Sequence, residues 1–322
     1  MLDRREFLHQ VAVSSAAGLA LAEATALAAP KTSAPTPAGV IPIVDTHQHL
    51  WDLKKFRLPW IKAGDPLDKS FVTSDYLKAT SGLHVIKTVY MEVDVDPAQQ
   101  DAEIEYVTDL CSRNDNPMMA AVISGRPALD GFANYLAKHK ANACLRGMRQ
   151  VLHGAGTPAG YCLQPKFIAG VQALGKIGWS FDLCMRAGEL TDAAKLIDAC
   201  PETRFVLDHC GNEPVLSADH SAWRRDIEAV AKRPNVIGKI SGIIASAPHG
   251  KWSAENLAPV INHTLDVFGP DRVVFGGDWP VCTLSATFGE WVEVLRQIVR
   301  GRSESEQRRL FHDNAVKFYR LS

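Results

Sequence analysis

The fold the sequence predicts is a (β/α)8 barrel forming one domain, and three observations carry it. Short apolar runs alternate with amphipathic stretches from residue 41 onward, eight of one with eight of the other. That alternation between two-residue and 3.6-residue periodicity is the pattern of successive βα units. Each apolar run is bounded by polar residues, glycine or proline and is nearly continuous, as a parallel strand covered on both faces should be. No Gly-x-Gly-x-x-Gly follows the first run, so the rival doubly wound open sheet lacks its fingerprint.

In chain order, strands are expected at 41–46, 85–91, 118–124, 144–151, 179–185, 204–208, 236–241 and 272–276. Apolar residues return at helical spacing between them, predicting helices over 98–113, 129–139, 165–177, 191–199, 221–232, 254–268 and 286–299. The eighth helix, 305–319, follows Ser303-x-x-Glu306, the pattern in which the two side chains cap a helix start reciprocally. One connection is long. Between His49 and the second strand it carries Trp51, Phe56, Pro59, Trp60 and a short helix at 74–79. Two tryptophans argue against disorder, and a lid over the barrel mouth is expected.

The 322 residues, 46% of them hydrophobic, are enough for a core of barrel size. A formal net charge of −1 gives no basic footprint for nucleic acid or anionic membrane, so a small-molecule substrate is expected and a nucleic acid is not. Oligomeric state has no signature in the sequence. Asp3-Arg4-Arg5-Glu6-Phe7-Leu8, the Ala/Val/Leu-rich stretch 11–22 and Ala26-Leu27-Ala28 have the form of a twin-arginine export leader. The apolar stretch is too short to span a bilayer stably. Residues 1–28 are therefore expected to be a signal peptide, 29–40 with its three prolines a linker, and 41–322 the barrel of a periplasmic or otherwise exported protein, with no membrane span in the mature form. The seven cysteines include no Cys-x-x-Cys pair, which argues against a structural zinc site. A chain exported after folding meets reducing conditions first, so the cysteines are expected as small buried groups, with no disulfide on which folding depends.

Strand side chains alternate, so His47 and His49 face one way, with Asp45 one step deeper on the same face. Two imidazoles on one strand end can bind a divalent metal ion or polarise a carbonyl. Asp278, in Gly276-Gly277-Asp278-Trp279-Pro280 after the last strand, is the complementary group. Its carboxylate can ligate a metal or take a proton from water, and the two glycines leave room for close approach of backbone and substrate. Asp208 and His209 are adjacent at the end of the sixth strand, and alternation admits one of them. The reading favours His209 as the inward catalytic group and Asp208 as a capping or pairing residue of the outer layer. Further candidates for substrate binding are Glu92, Arg149, Arg186 and Trp51. Arg149 shares a face with His153, and Arg186 with Asp182 and Cys184. Arginines at a barrel mouth suit carboxylated or polyhydroxylated substrates through forked hydrogen bonds. His312, Trp223 and Trp252 read as packing or surface residues.

In this order the motifs resemble the amidohydrolase superfamily, in the branch that holds sugar lactonases and 2-pyrone-4,6-dicarboxylate hydrolase. The matching stretches are Val44-Asp-Thr-His-Gln-His-Leu-Trp51, Leu145-Arg-Gly-Met-Arg-Gln-Val-Leu152, Phe181-Asp-Leu-Cys, Val206-Leu-Asp-His-Cys-Gly-Asn212, Lys239-Ile-Ser-Gly242, Phe275-Gly-Gly-Asp-Trp-Pro280 and Asn314-Ala-Val-Lys-Phe-Tyr-Arg-Leu321. The resemblance spans nearly everything after the linker. It implies a distorted TIM barrel with the site at the C-terminal strand ends, His47, His49 and Asp278 as the metal and water-activating groups, and His209 as the group that assists the carbonyl or the water.

Two departures from the superfamily pattern bear on the cofactor. Binuclear members carry a bridging lysine or glutamate on strand four and a histidine on strand five, and residues 145–151 and 179–185 offer neither. The resemblance thus implies one divalent ion, zinc first, held by His47, His49 and Asp278, or no metal as in the pyrone hydrolase, and no binuclear centre. The activity it implies is hydrolysis of a lactone, sugar-acid lactones included. Asp278 would take a proton from the attacking water while His47, His49 and His209 stabilise the developing oxyanion. A metal-dependent decarboxylase of an aromatic or enoic acid shares the site pattern. A non-catalytic exported sugar-binding barrel is the alternative from another class.

Overall fold

The computed structural model describes residues 39–321, so the expected leader and most of the expected linker lie outside the described residues. Eight strands pair in parallel, each with the next in sequence: β1 (Ile43–Gln48), β2 (Val85–Met91), β3 (Met118–Ser124), β4 (Leu145–Val151), β5 (Ser180–Cys184), β6 (Arg204–Leu207), β7 (Val236–Ile240) and β8 (Val273–Phe275). The helices are α1 (Thr73–Ala79), α2 (Gln100–Ser112), α3 (Phe132–His139), α4 (Pro165–Lys176), α5 (Leu190–Ala199), α6 (Ser221–Ala231), α7 (Ala254–Phe268), α8 (Phe288–Val299), α9 (Glu304–Arg308) and α10 (Asn314–Tyr319). Every expected strand and helix is present, with small shifts at the ends. The capping box forms as read, Ser303 N donating to Glu306 Oε2 at 2.9 Å and Glu306 N to Ser303 Oγ at 3.3 Å. The single expected final helix is instead α9 and α10 joined by a π turn at Arg309–Asp313.

The barrel is nearly closed. Where β1 meets β8, a lone bridge joins Gln48 to Trp279. Asp278 N donates to the His47 carbonyl and His49 N to the Trp279 carbonyl, both at 2.8 Å. Side chains complete the seam: Thr46 Oγ1 donates to the Phe275 carbonyl at 2.7 Å, and Gly277 N donates to Asp45 Oδ1 at 2.7 Å. The seam therefore fixes the two strand ends that carry the candidate histidines and aspartate.

Val44, Val89, Val122, Val206, Ile237 and Val274 form one buried cluster with Ala315, Tyr319 and Leu321 of the C-terminal segment. These valines come from the inward positions of their strands, so the cluster fills the lower barrel and the chain's end closes it from below. Three basic side chains from early strand positions hold that end in place. Lys87 Nζ donates to the Leu321 carbonyl at 2.6 Å, Arg146 Nε to Tyr319 at 2.9 Å and Arg204 Nη1 to Phe318 at 2.6 Å. The larger core lies between sheet and helices, where Phe275 packs against Phe288, Trp291 and Phe311.

Two expectations change here. Cys111, at the end of α2, is joined to Cys144 before β4 as a disulfide, with 6.4 Å between their Cα atoms. The other five cysteines are free and buried, as small apolar groups would be. Asp45 does not share the inward face of His47. Between Asp45 and Gln48, β1 advances three residues while its partner β2 advances two, from Thr88 to Tyr90. That extra residue is a bulge, and it shifts the alternation by one. Val44 faces the interior, Asp45 the helix layer, and His47 the interior again. No described helix is long and apolar enough to cross a membrane.

Candidate active site

The C-terminal strand ends converge on a cavity of about 420 Å³. His49, Arg149, His209 and Asp278 contribute to its wall, as do Trp60 and His153. At its base Asp278 Oδ1 lies 3.3 Å from His49 Nε2 and 3.6 Å from His47 Nε2. The distant groups singled out in the sequence thus meet. Asp278 stands at a left-handed backbone position (φ 53°), two residues before Pro280. The two glycines ahead of it serve the protein's own packing rather than a substrate. A Cβ on Gly276 would come within 2.6 Å of the His47 Cβ, and one on Gly277 would overlap the Phe288 ring.

Both Asp208 and His209 reach the site, contrary to the expectation that only His209 faces inward. Strand β6 ends at Leu207, so the inward register of Val206 passes to Asp208. His209 and Cys210 then adopt left-handed conformations (φ 54° and 51°) that return the imidazole to the mouth. The His209 ring stands 4.6 Å from that of His47, and its Nδ1 is 2.8 Å from Ser241 Oγ. Gly242 is required beneath it: the residue has φ +64°, and a Cβ there would overlap the His209 ring.

Below His47 lies a buried charged layer that the sequence reading passed over. Lys239, wholly buried, lies 2.8 Å from Asp182 Oδ2, 2.9 Å from Asp208 Oδ1 and 3.3 Å from His47 Nδ1. Burial disfavours its charge, but the two carboxylates outweigh that and hold the ammonium protonated well above its ordinary range. Burial also works to raise Asp208, yet Lys239 and His47 pull it well below the usual carboxylate range. Asp182 is pushed up to about 7 by burial and by Asp208, with Lys239 opposing. A signal was available. Lys239 is the one charged residue in the strand Val236–Ile240, two positions on from the inward Ile237, and a lysine there needs a carboxylate partner.

Arg149 reaches the cavity as expected, and Glu92 is what holds it there. Arg149 Nε donates to Glu92 Oε1 at 2.6 Å and Nη2 to the Glu92 carbonyl at 2.9 Å, while Nη1 lies 3.2 Å from His47 Nε2. Glu92 does not line the cavity; it positions Arg149. The other two expected substrate contacts are elsewhere. Trp51 is buried, donates its Nε1 to the Lys69 carbonyl at 2.7 Å and packs on Phe71, while Trp60 from the same connection lines the cavity. Arg186 donates to the carbonyls of Gly154 and Thr157 and to Glu189, so it ties down the loop after β4 instead of facing the cavity. Trp223 and Trp252 pack, with Trp223 Nε1 donating to the Cys210 carbonyl at 2.9 Å and Trp252 Nε1 to that of Ser285 at 3.0 Å, and His312 pairs with its neighbour Asp313.

Burial lowers the pKa of His47 well below its ordinary value, with Lys239 and His209 adding to the effect against Asp208. His209 is likewise lowered by burial, against Asp278 and Asp208. Neutral imidazoles are what both metal ligation and hydrogen bonding to a carbonyl require. The donor set suits a divalent ion: ligand atoms of His47, His49 and Asp278 all lie within 4.8 Å of one another. His49 Nδ1 is 2.9 Å from the Met91 carbonyl, an orientation that leaves its Nε2 lone pair for the site. His47 can present Nε2 in the same way by turning Nδ1–H to Asp208 Oδ1, 3.6 Å away.

A parallel eight-stranded barrel with two imidazoles from its first strand and a carboxylate beyond its last, set in one hollow, defines a hydrolase-type barrel with a histidine-aspartate site. The chain belongs to the amidohydrolase family, whose sequence profile matches residues 44–321. It is 28% identical to an L-fucono-1,5-lactonase of Burkholderia ambifaria, over 86% of this chain and 95% of that one. It is 26% identical to an L-fucono-1,5-lactonase of Burkholderia multivorans, over 86% and 96%. Among solved structures, a zinc-bound amidohydrolase of Burkholderia multivorans superposes with a TM-score of 0.77 at 24% identity, over 87% of this chain and all of that one.

Proposed function

We propose that this hydrolase opens lactones, with Asp278 as the base that takes a proton from the attacking water. The observation that carries the reading is the position of Asp278 at the base of the cavity, 3.3 and 3.6 Å from the imidazoles of His49 and His47. The likeness to two L-fucono-1,5-lactonases supports the substrate class. Water adds to the carbonyl carbon, its proton passing to Asp278. The negative charge that develops on the carbonyl oxygen is met by His209, which stands on the same cavity wall. When the tetrahedral centre collapses, the ring C–O bond breaks and the proton held by Asp278 goes to the leaving alkoxide.

If a divalent ion is bound, one ion, zinc first, would be held by His47, His49 and Asp278 and would supply Lewis-acid polarisation of the carbonyl. A second ion at the other nearby grouping, His47, Asp208 and His209, would have to displace Lys239 from Asp208. The Arg4-Arg5 leader pattern supports export of the protein by the twin-arginine route.

The test is Asp278→Asn. Substitution is expected to lower kcat by about 10² to 10⁴, the contribution of a positioned base, while the circular dichroism spectrum and melting profile stay as in the parent. An active Asp278→Asn enzyme would remove Asp278 as the base.

A further inference from the structure

The cavity wall above the polar base is apolar. Trp60, Val93, Val151, Cys184, Ala245 and Val281 form much of it. The polar groups on that wall are mostly committed to the protein. Trp60 Nε1 donates to the Val93 carbonyl at 2.7 Å, which leaves the indole ring to face the cavity. Asn212 Nδ2 donates to the Met185 carbonyl at 2.8 Å and Ser246 Oγ to that of Ile243 at 2.7 Å, which leaves the His153 ring and the Asn212 amide oxygen as the polar groups of the upper wall open to a substrate. Asp94 is held by Arg126 at 2.6 Å. Arg149 is the one arginine or lysine among the described residues that line the cavity, and its nitrogens are taken by Glu92 and His47.

These commitments separate three kinds of lactone. A polyhydroxylated ring brings several hydroxyls that lose water on entry, and each one left without a partner weakens binding. A carboxylated ring needs a cation, and among the described residues no uncommitted lysine or arginine lines this cavity. A ring bearing an aliphatic or aromatic substituent needs neither, and it gains from burial against Trp60 and the valines.

On the lactonase reading, we propose that the substrate is a neutral lactone carrying an apolar substituent, with the carbonyl at the His49/His209/Asp278 base and the substituent against Trp60, Val151 and Val281. The specificity thus departs from the sugar lactones named for the relatives at 26–28% identity.

The test is acid release, followed with a pH indicator, by the purified enzyme on a panel of three classes: δ-lactones with alkyl or fused aryl substituents, sugar-acid lactones, and carboxylated lactones. The alkyl and aryl lactones are expected to exceed the others in kcat/KM by about 10²-fold, the discrimination an apolar pocket achieves against an added hydroxyl. Sugar-acid or carboxylated lactones turned over equally well or better would overturn the apolar specificity and leave the lactonase reading in place. No hydrolysis of any class by the folded enzyme would overturn the lactonase reading and the specificity with it. Trp60→Ala provides the second readout: KM for an alkyl lactone is expected to rise about tenfold from the lost apolar contact. An unchanged KM would show that the substituent does not rest on Trp60.

Discussion

At Lys239 a buried ammonium lies 2.8 and 2.9 Å from the carboxylates of Asp182 and Asp208 and 3.3 Å from His47 Nδ1. Its removal would leave Asp182 without a counterion, Asp208 with only Arg149 Nη1 at 3.5 Å, and His47 without a neighbour that fixes its ring. Lys239→Met is therefore expected to cost about 3–5 kcal/mol of stability, the range for breaking a buried pair from one side. It should also lower kcat/KM by more than tenfold through misplacement of His47. Asp182→Asn is the contrasting variant. Burial raises the pKa of that carboxyl against the pull of Lys239, so a neutral amide of the same shape is tolerated better there than the loss of the lysine. Its kcat/KM is expected within tenfold of the parent. Urea denaturation and steady-state rates on both variants check the pair. A Lys239→Met enzyme as stable as the parent would show that the two carboxylates do not rely on the lysine.

Among the elements, β1 contributes most to the site, and it does so through its bulge. Asp45, turned outward by it, accepts from His47 N at 2.9 Å, Gly277 N at 2.7 Å and Tyr76 Oη at 2.8 Å. One side chain thus ties β1, the segment after β8 and α1 together behind His47 and Asp278. Burial raises the Asp45 pKa above the usual carboxylate range, and the three hydrogen bonds oppose it. Tyr76→Phe removes one donor and is expected to cost about 1 kcal/mol, whereas Asp45→Ala leaves three buried donors unmet and should cost at least about 3 kcal/mol. Because the deleted carboxylate fixes His47 N and Gly277 N, Asp45→Ala should also lower kcat, and Tyr76→Phe should do so much less. Equal effects of the two substitutions on kcat would show that the seam does not position the site.

The bulge also marks the limit of what the sequence shows. Strands and helices were legible because burial writes a two-residue or 3.6-residue period into the chain, and His47, His49 and Asp278 stood at the ends of such runs. A single inserted residue in β1 carries no periodic mark, so Asp45 was assigned to the wrong face. The left-handed turn at His209 likewise defeated the rule that neighbouring residues face apart, and Asp208 was sent outward. Trp51 and Arg186 lie in connections whose neighbours in space are set by no local period. Lys239 was different, since a charged residue at an inward strand position was visible in the sequence and its meaning was missed.

On the scale of the whole molecule the barrel interior has three levels. The lowest is apolar and is closed by α10, with Tyr319 wholly buried among Val44, Val206 and Val274. The middle level holds Lys239, Asp182, Asp208, Arg149 and Glu92. The uppermost opens as the cavity. Charges can persist in the middle level because each is paired, Lys239 with Asp182 and Asp208 and Arg149 with Glu92, and low-dielectric surroundings strengthen each pairing. The C-terminal segment is therefore a floor beneath the charged layer, distant from the chemistry yet needed for its setting. Tyr319→Ala is expected to destabilise the protein by about 3–5 kcal/mol, as for loss of a large buried ring. Catalysis well below the melting temperature should change less than tenfold, since the reacting groups sit above the charged layer and keep their partners. Calorimetry with rates measured at low temperature separates the two effects. A variant that melts like the parent would show that the floor carries no stability. One that is well folded but loses activity as severely as Asp278→Asn would show that the lower level reaches the reacting atoms directly.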